Sequence, residues 1–364
     1  MNPTPHHYLH ALNTVPQVSP TILRKLLEYF DTPEAIWKAS PAALGASKIG
    51  EKALAAILAK RAGIDIAQEW ERLETSGITM LTEEDLAYPQ LLKETHNPPF
   101  LLYMRGSFES NSKPLIAIVG SRHATAYGLR VAETFAKELS AAGIGVVSGL
   151  AFGIDSAAHR GALEAHGDTI AVLGNSLDDA SIYPKGNAAL ARGILAQGGA
   201  LFSEYPPVTK ATTFTFPARN RIIAGISQGT IVVEAADRSG SLITARLALE
   251  SNREVFAVPG SIFSDASQGP HTLIRSGAKI ATSIQDILEE LRPHTAVSQA
   301  SASPPVPLPP DEAKIFSFLS AEPLHIDKIL KTTTLETSQV QSALMLLEMK
   351  GIIKNIGGMH YIRL

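Results

Sequence analysis

Residues 115–149 read LIAIVGSRHATAYGLRVAETFAKELSAAGIGVVSG: an apolar run that stops at Gly120, an amphipathic stretch, and a second apolar run that stops at Gly149. Between Tyr127 and Ala142, Val131, Phe135 and Leu139 recur every four residues as one apolar stripe, while Arg130, Glu133, Lys137 and Glu138 lie largely off it. That spacing predicts a helix packed by one face. The flanking runs show no strict polar alternation, as parallel strands covered on both faces require. Similar runs follow as TIAVLG, GALFSE, TIVVEA and EVFAVPG, each set off by a helical segment. The expectation is therefore an α/β domain over 113–292, a Rossmann-like doubly wound and mostly parallel sheet.

The flanks have a different texture. Residues 1–75 contain ILRKLLEYF, PEAIWKA and EKALAAILAKR, apolar at helical spacing with Pro and Gly between them, and predict a small helical domain. Its Lys48-Ile49-Gly50-Glu51-Lys52-Ala53 has the form of a SAM/helix-hairpin-helix-like turn or of a plain helix start after glycine. Residues 76–112 read as a connecting segment. After Arg292, PHTAVSQASASPPVPLPP is rich in Pro, Ser and Ala and predicts a semi-stiff linker over 293–310. Residues 311–364 hold three amphipathic stretches, then IIKNI and MHYIRL around Gly357-Gly358, which predicts a winged-helix domain. Its modest charge leaves protein contact and DNA binding both open.

Composition narrows the function. The 364 residues carry 45% apolar residues, no cysteine and a formal charge of −3. Disulfides, thiolate zinc sites and a cysteine nucleophile are excluded. A protein coated in basic surface is excluded too, so any nucleic-acid site must be local. No run of 18 apolar residues occurs, and the start MNPTPHHYLH has no signal-peptide pattern; a cytoplasmic protein without a membrane span is expected. His6, His7 and His10 have no carboxylate near them in sequence, and no metal or cofactor is expected.

The chemistry gathers at strand ends. Gly120-Ser121-Arg122 places free backbone amides and a guanidinium where a helix begins, a natural seat for a phosphate. Ser148 and Gly149 end the next strand in the same way, and Lys185 offers a point charge after the third. Neither the dinucleotide nor the P-loop fingerprint is present, so the usual mononucleotide occupants lack support. Asp155 reads as a helix N-cap. From Tyr205 to Gly229 there are three basic residues, Lys210, Arg219 and Arg221, no acidic one, and the interleaved rings of Phe214 and Phe216 beside Asn220. Rings that stack on bases beside cations that meet phosphates suit a single strand, although the rings also fit a core and one arginine an internal ion pair. Gly240-Ser241 opens another helix with free amides, and Glu234 facing it reads either as an orienter of arginines or as a catalytic carboxylate.

These blocks resemble the DprA/Smf family of bacterial DNA-processing proteins. The match runs through Gly120-Ser121-Arg122, Ser148-Gly149-Leu150-Ala151, Gly153-Ile154-Asp155, Phe216-Pro217, Arg219-Asn220-Arg221, Val232-Val233-Glu234-Ala235, Gly240 to Ala245 and Val255 to Gly260. The resemblance implies an extended Rossmann fold that binds single-stranded DNA in a basic pocket. It also implies a homodimer that protects the incoming strand and loads RecA onto it in natural transformation, without catalysis. Gly120, Ser121, Arg122, Lys185 and the segment from Phe216 to Arg221 would form that pocket. Relatives often carry a basic residue just before the Arg-Asn-Arg run, where this chain has Ala218. The rival reading is a nucleotide phosphoribohydrolase-like enzyme with Glu234 as its catalytic group, against which stands the missing Pro-Gly-Gly-x-Gly-Thr pattern before that glutamate.

Overall fold

All six apolar runs form strands of one sheet in the computed structural model, which describes residues 3–108, 113–291, 309–320, 324–333, 335–350, 352–355 and 357–363. These are β3 (Leu115–Val119), β4 (Gly145–Ser148), β5 (Thr169–Leu173), β6 (Ala200–Ser203), β7 (Gly229–Val232) and β8 (Glu254–Ala257). The sheet gains β1 (Ile78–Thr82) and β2 (Leu101–Gly106) at one edge and the short β9 (Lys279–Ile280) at the other. Its order is β1-β2-β6-β5-β4-β3-β7-β8-β9, parallel from β6 to β9, with β2 antiparallel to β6 and β1 antiparallel to β2. Successive strands run outward from β3 one way to β6 and from β7 the other way to β9, so the switch point lies between β3 and β7.

Covering on both faces explains the missing alternation. Along β3, Ile116 and Ile118 face one apolar cluster with Phe135 and Leu139, while Ala117 and Val119 face another with Ile222 and Ile223. The helix Ala126–Ala141 buries Gly128, Ala132, Phe135, Ala136 and Leu139, so its buried face is centred on small residues and Val131 is only half-buried. The helix Ile154–Glu164 sets that centre by its close approach: a Cβ at Gly161 would stand 2.4 Å from the Glu133 carbonyl oxygen.

Six helices between Pro5 and Thr75 cover the extended end of the sheet. Leu9, Leu12, Leu23 and Leu26 share a core with Met80 of β1, Tyr103 of β2, Leu173 of β5 and Leu201 of β6. His10 is buried against Tyr103, with Nδ1 3.0 Å from the phenol oxygen, and His7 stacks on Trp70 with ring centroids 4.3 Å apart. His6, for which the sequence shows no neighbouring carboxylate, lies 3.5 Å from Asp85 in the fold. Residues Met1–Leu291 thus form one compact unit, and Arg292–Leu364 a second.

In the second unit the helices Pro310–Phe318, Ile326–Thr333 and Thr337–Met349 pack around Ile315, Ile329, Leu344 and Leu347. A three-stranded sheet of β10 (Leu324–His325), β12 (His360–Arg363) and β11 (Ile353–Asn355) completes it. Gly357 and Gly358 turn the hairpin at φ 99° and 57°, a region open chiefly to glycine. This is the winged-helix arrangement. The linker expected over 293–310 falls almost wholly outside the described residues. Among the described residues no helix is long and apolar enough to cross a membrane.

Candidate nucleic-acid interface

The carboxyl edge of the sheet is shaped first by main chain. Gly120 ends β3 where no side chain fits: a Cβ would lie 2.6 Å from Ile154 Cγ1 and 2.9 Å from the Glu234 carbonyl oxygen. Ser121 N–H donates to that same carbonyl at 2.7 Å, and Ile154 N–H donates to the Ser121 carbonyl at 3.2 Å. Gly153, at φ 76°, sits with its Cα against the Ser121 carbonyl, which a Cβ would approach to 2.2 Å. The turns after β3, β4 and β7 are therefore joined backbone to backbone.

Two buried carboxylates complete this bracing. Glu234 accepts hydrogen bonds from Thr125 N–H at 2.9 Å and Thr125 Oγ1 at 2.5 Å, and Gly128 leaves the room it occupies. Among the described residues it pairs with no arginine; it fastens the start of the helix after β3 to the end of β7. Asp155 does not cap a helix, because Gly153 holds the N-cap position. Its carboxylate instead accepts from Gly149 N–H at 3.1 Å and Ala151 N–H at 3.3 Å, closing the turn after β4.

Above this frame lies a cavity of about 630 Å³. The turn after β3 lines it with Gly120, Ser121, Arg122 and His123, the helix Thr215–Ile226 with Phe216 and Asn220, and the far side with Arg238, Gly240 and Ser241. Arg122 is exposed, with its guanidinium carbon 5.1 Å from the Phe216 ring centroid, and Phe216 in turn lies 5.6 Å from the ring of Tyr183. Neither Arg122 nor Arg238 has a hydrogen-bond or ion-pair partner among the described residues. The helix Gly240–Glu250 starts at the wall of the cavity, and Asn220 Nδ2 donates to the Gly240 carbonyl at 3.3 Å. Buried Thr244, one turn on, also faces the cavity.

The thirteen residues singled out from sequence separate into three groups. Gly120, Ser121, Arg122, Phe216, Asn220, Gly240 and Ser241 meet at the cavity, and Gly149 lines a small cleft beside it. Ser148 and the two arginines of the Arg-Asn-Arg run turn inward. Ser148 is fully buried and donates to the Ile118 carbonyl at 2.6 Å. Arg219 borders the cavity yet is 4% exposed, donating to the carbonyls of Gly149 and Val172. Burial pulls its pKa down to about 10, opposed by Asp155, whose own carboxyl burial pushes up. Arg221 is ion-paired with Glu204 away from the cavity. Lys185 and Lys210 are exposed and stand outside the cavity lining, as does Ala218. Sequence reasoning missed Arg238 and His123. Arg238 had a legible signal, since Asp237-Arg238-Ser239 immediately precedes the Gly-Ser helix start.

A mostly parallel sheet with helices on both faces and open guanidinium groups at its switch point defines a Rossmann-like α/β protein with a candidate anion site. Residues 79–292 match the family model described as DNA recombination-mediator protein A, and residues 299–359 match the DprA winged helix domain. The chain belongs to this DprA/Smf family. It is 35% identical to protein Smf of Synechocystis over 98% of both chains. The structure of DNA processing protein A from Streptococcus pneumoniae superposes with a TM-score of 0.67 at 37% identity, covering 80% of this chain and 99% of that one. A second structure, of DNA processing protein A from Helicobacter pylori and described for its single-stranded DNA binding mode, gives 0.52 at 31% identity, covering 59% of this chain and 95% of that one.

Proposed function

We propose that the switch-point cavity holds single-stranded DNA and that the protein protects the strand and loads RecA onto it, without catalysis, as a cytoplasmic homodimer formed through the Rossmann-like domain. One observation carries the reading: Arg122, with no hydrogen-bond or ion-pair partner among the described residues, lies over the Phe216 ring at the mouth of a cavity whose far side is the Gly240-Ser241 helix start, where Ser239 already caps the Ser241 N–H. A guanidinium for a phosphate beside a ring for a base is the pairing a single strand needs. Gly120, Ser121, Arg122, Phe216, Asn220, Gly240 and Ser241 are its direct contacts, joined by Arg238. Ser148, Gly149, Arg219 and Arg221 hold the walls, and Lys185 and Lys210 are outlying cations for a longer strand. The relatives' names and the strand-binding mode described for the Helicobacter pylori protein point the same way. Against the phosphoribohydrolase reading, Glu234 is buried, accepts from Thr125 and does not line the cavity.

The test is oligo-dT affinity across salt concentrations, followed by RecA loading on DNA coated with single-strand-binding protein. Arg122→Ala is expected to raise Kd on the order of tenfold or more, to lower the salt slope by about one, and to abolish loading. An unchanged Kd and slope would remove Arg122 from the site.

A further inference from the structure

Six aromatic side chains of the first unit stand about half exposed or more among the described residues: Tyr29, Tyr127, Phe152, Tyr183, Phe214 and Phe263. Singly exposed apolar residues are ordinary, and their usual placement is scattered. Here five of the six, all but Tyr29, rise from the carboxyl edge of the sheet. Tyr127 follows β3, Phe152 follows β4, Tyr183 follows β5, Phe214 follows β6 and Phe263 follows β8. The connection after β7 supplies Arg238 instead. In the order of the strands the row reads Phe214, Tyr183, Phe152, Tyr127, Arg238, Phe263. The strands whose connections carry the row span five inter-strand steps of about 4.8 Å, about 24 Å in all.

The Phe263 end of the row is tied down. Tyr127 Oη donates to the Pro259 carbonyl at 2.9 Å, tying the helix after β3 to the connection that carries Phe263. Within that connection Phe263 N–H donates to Ser261 Oγ at 3.3 Å and Ser264 N–H to the Ser261 carbonyl at 3.0 Å. This tight turn leaves Phe263 93% exposed. At the centre, Phe152, Tyr183 and Phe216 share a cleft with Arg122, so the row is continuous with the cavity.

We propose that these five rings are successive base-stacking platforms, and that a DNA strand held at the cavity by its phosphates extends along the carboxyl edge to Phe263 on one side and Phe214 on the other. The inference rests on the single-strand reading of the cavity and adds its extent and its lack of sequence preference. Rings on separate loops, with Arg238 within the row and Arg122 in the cleft beside Phe152 and Tyr183, offer faces for bases and cations for phosphates, as a single strand needs. A protein partner would call for a contiguous apolar patch instead.

Length-dependent binding separates the two ideas. The full chain is titrated with oligo-dT of about three nucleotides, enough for the cavity alone, and of about twelve, within the span of single-strand sites. Phe263→Ala should raise Kd for the long oligonucleotide roughly fivefold to a hundredfold while leaving the short one unchanged. The salt slope should stay the same, since no phosphate contact is lost, and Phe263→Trp should restore affinity. Unaltered melting will show that the exposed ring is no part of the core. Equal binding of the long oligonucleotide by Phe263→Ala and wild type overturns the row, as does an equal loss for both lengths. Failure of the wild type to bind either oligonucleotide removes the cavity reading and the row with it.

Discussion

Phe216 and Arg219 are one helical turn apart, and their fates show how side-chain direction decides function. Phe216 lies half-buried at the mouth of the cavity, packed beside Arg122 and Tyr183 and still partly open to a ligand. Phe216→Ala is expected to cost about 1–3 kcal/mol of binding to oligo-dT with no change in salt slope. A fall in melting temperature with unchanged affinity would return the ring to the core. Arg219 bridges carbonyl groups beneath the cavity, a role that its charge in the sequence conceals. The spacing did contain the answer: Arg219 is four residues from Ile223 and three from Ile222, both buried. Two buried histidines set an acid limit on the fold. Burial lowers the pKa of His10 to about 4 and that of His159 to about 3, from 6.5. Each is held neutral in the native state while the unfolded chain takes up a proton, so stability is intact above pH 6.5 and falls as pH drops toward the native values. At about pH 5 each should cost roughly 2 kcal/mol. Melting curves between pH 8 and 5 measure this, and His10→Gln should make the decline shallower.

Among elements, the turn after β4 is the least forgiving. Gly153 combines a φ of 76° with a carbonyl 2.2 Å from where a Cβ would lie. Gly153→Ala is expected to destabilise by about 2 kcal/mol or more and to weaken DNA binding as the turn after β3 is pushed aside. Melting and binding measured on the same preparation would show both effects, and a neutral result would mean that these turns are not coupled. The six strands of the parallel core were legible because each had to be apolar on both faces. By contrast, β1 and β2 were absorbed into a connecting segment. As short antiparallel additions, ITMLT and LLYMRG owe their burial to helices more than 60 residues earlier in some cases, such as Leu9 and Leu12 against Tyr103. No local pattern states that dependence. The site was legible where glycine and arginine sit at strand ends. Arg238 went unnoticed because a charge beside Asp237 reads as ordinary surface.

At the scale of the molecule, the helices of the first 75 residues roof the end of the sheet that carries β1, β2 and β6. A chain beginning at Gly77 would leave Tyr103, Leu173 and Leu201 without cover on one face. Such a chain is expected to aggregate, or to melt about 10 °C or more below the full chain, from the loss of several kcal/mol of apolar burial. An undiminished melting temperature would show that the sheet needs no roof. The bracing of the turns by Glu234 and Asp155 has another consequence. These bonds are complete without a ligand, so the protein has little left to order when a strand arrives, and the entropic cost of association falls on the DNA. Association should then be limited by encounter, which the open arginines steer, and not by a conformational step. A receptor of that kind can release one segment of a strand and seize the next without refolding in between.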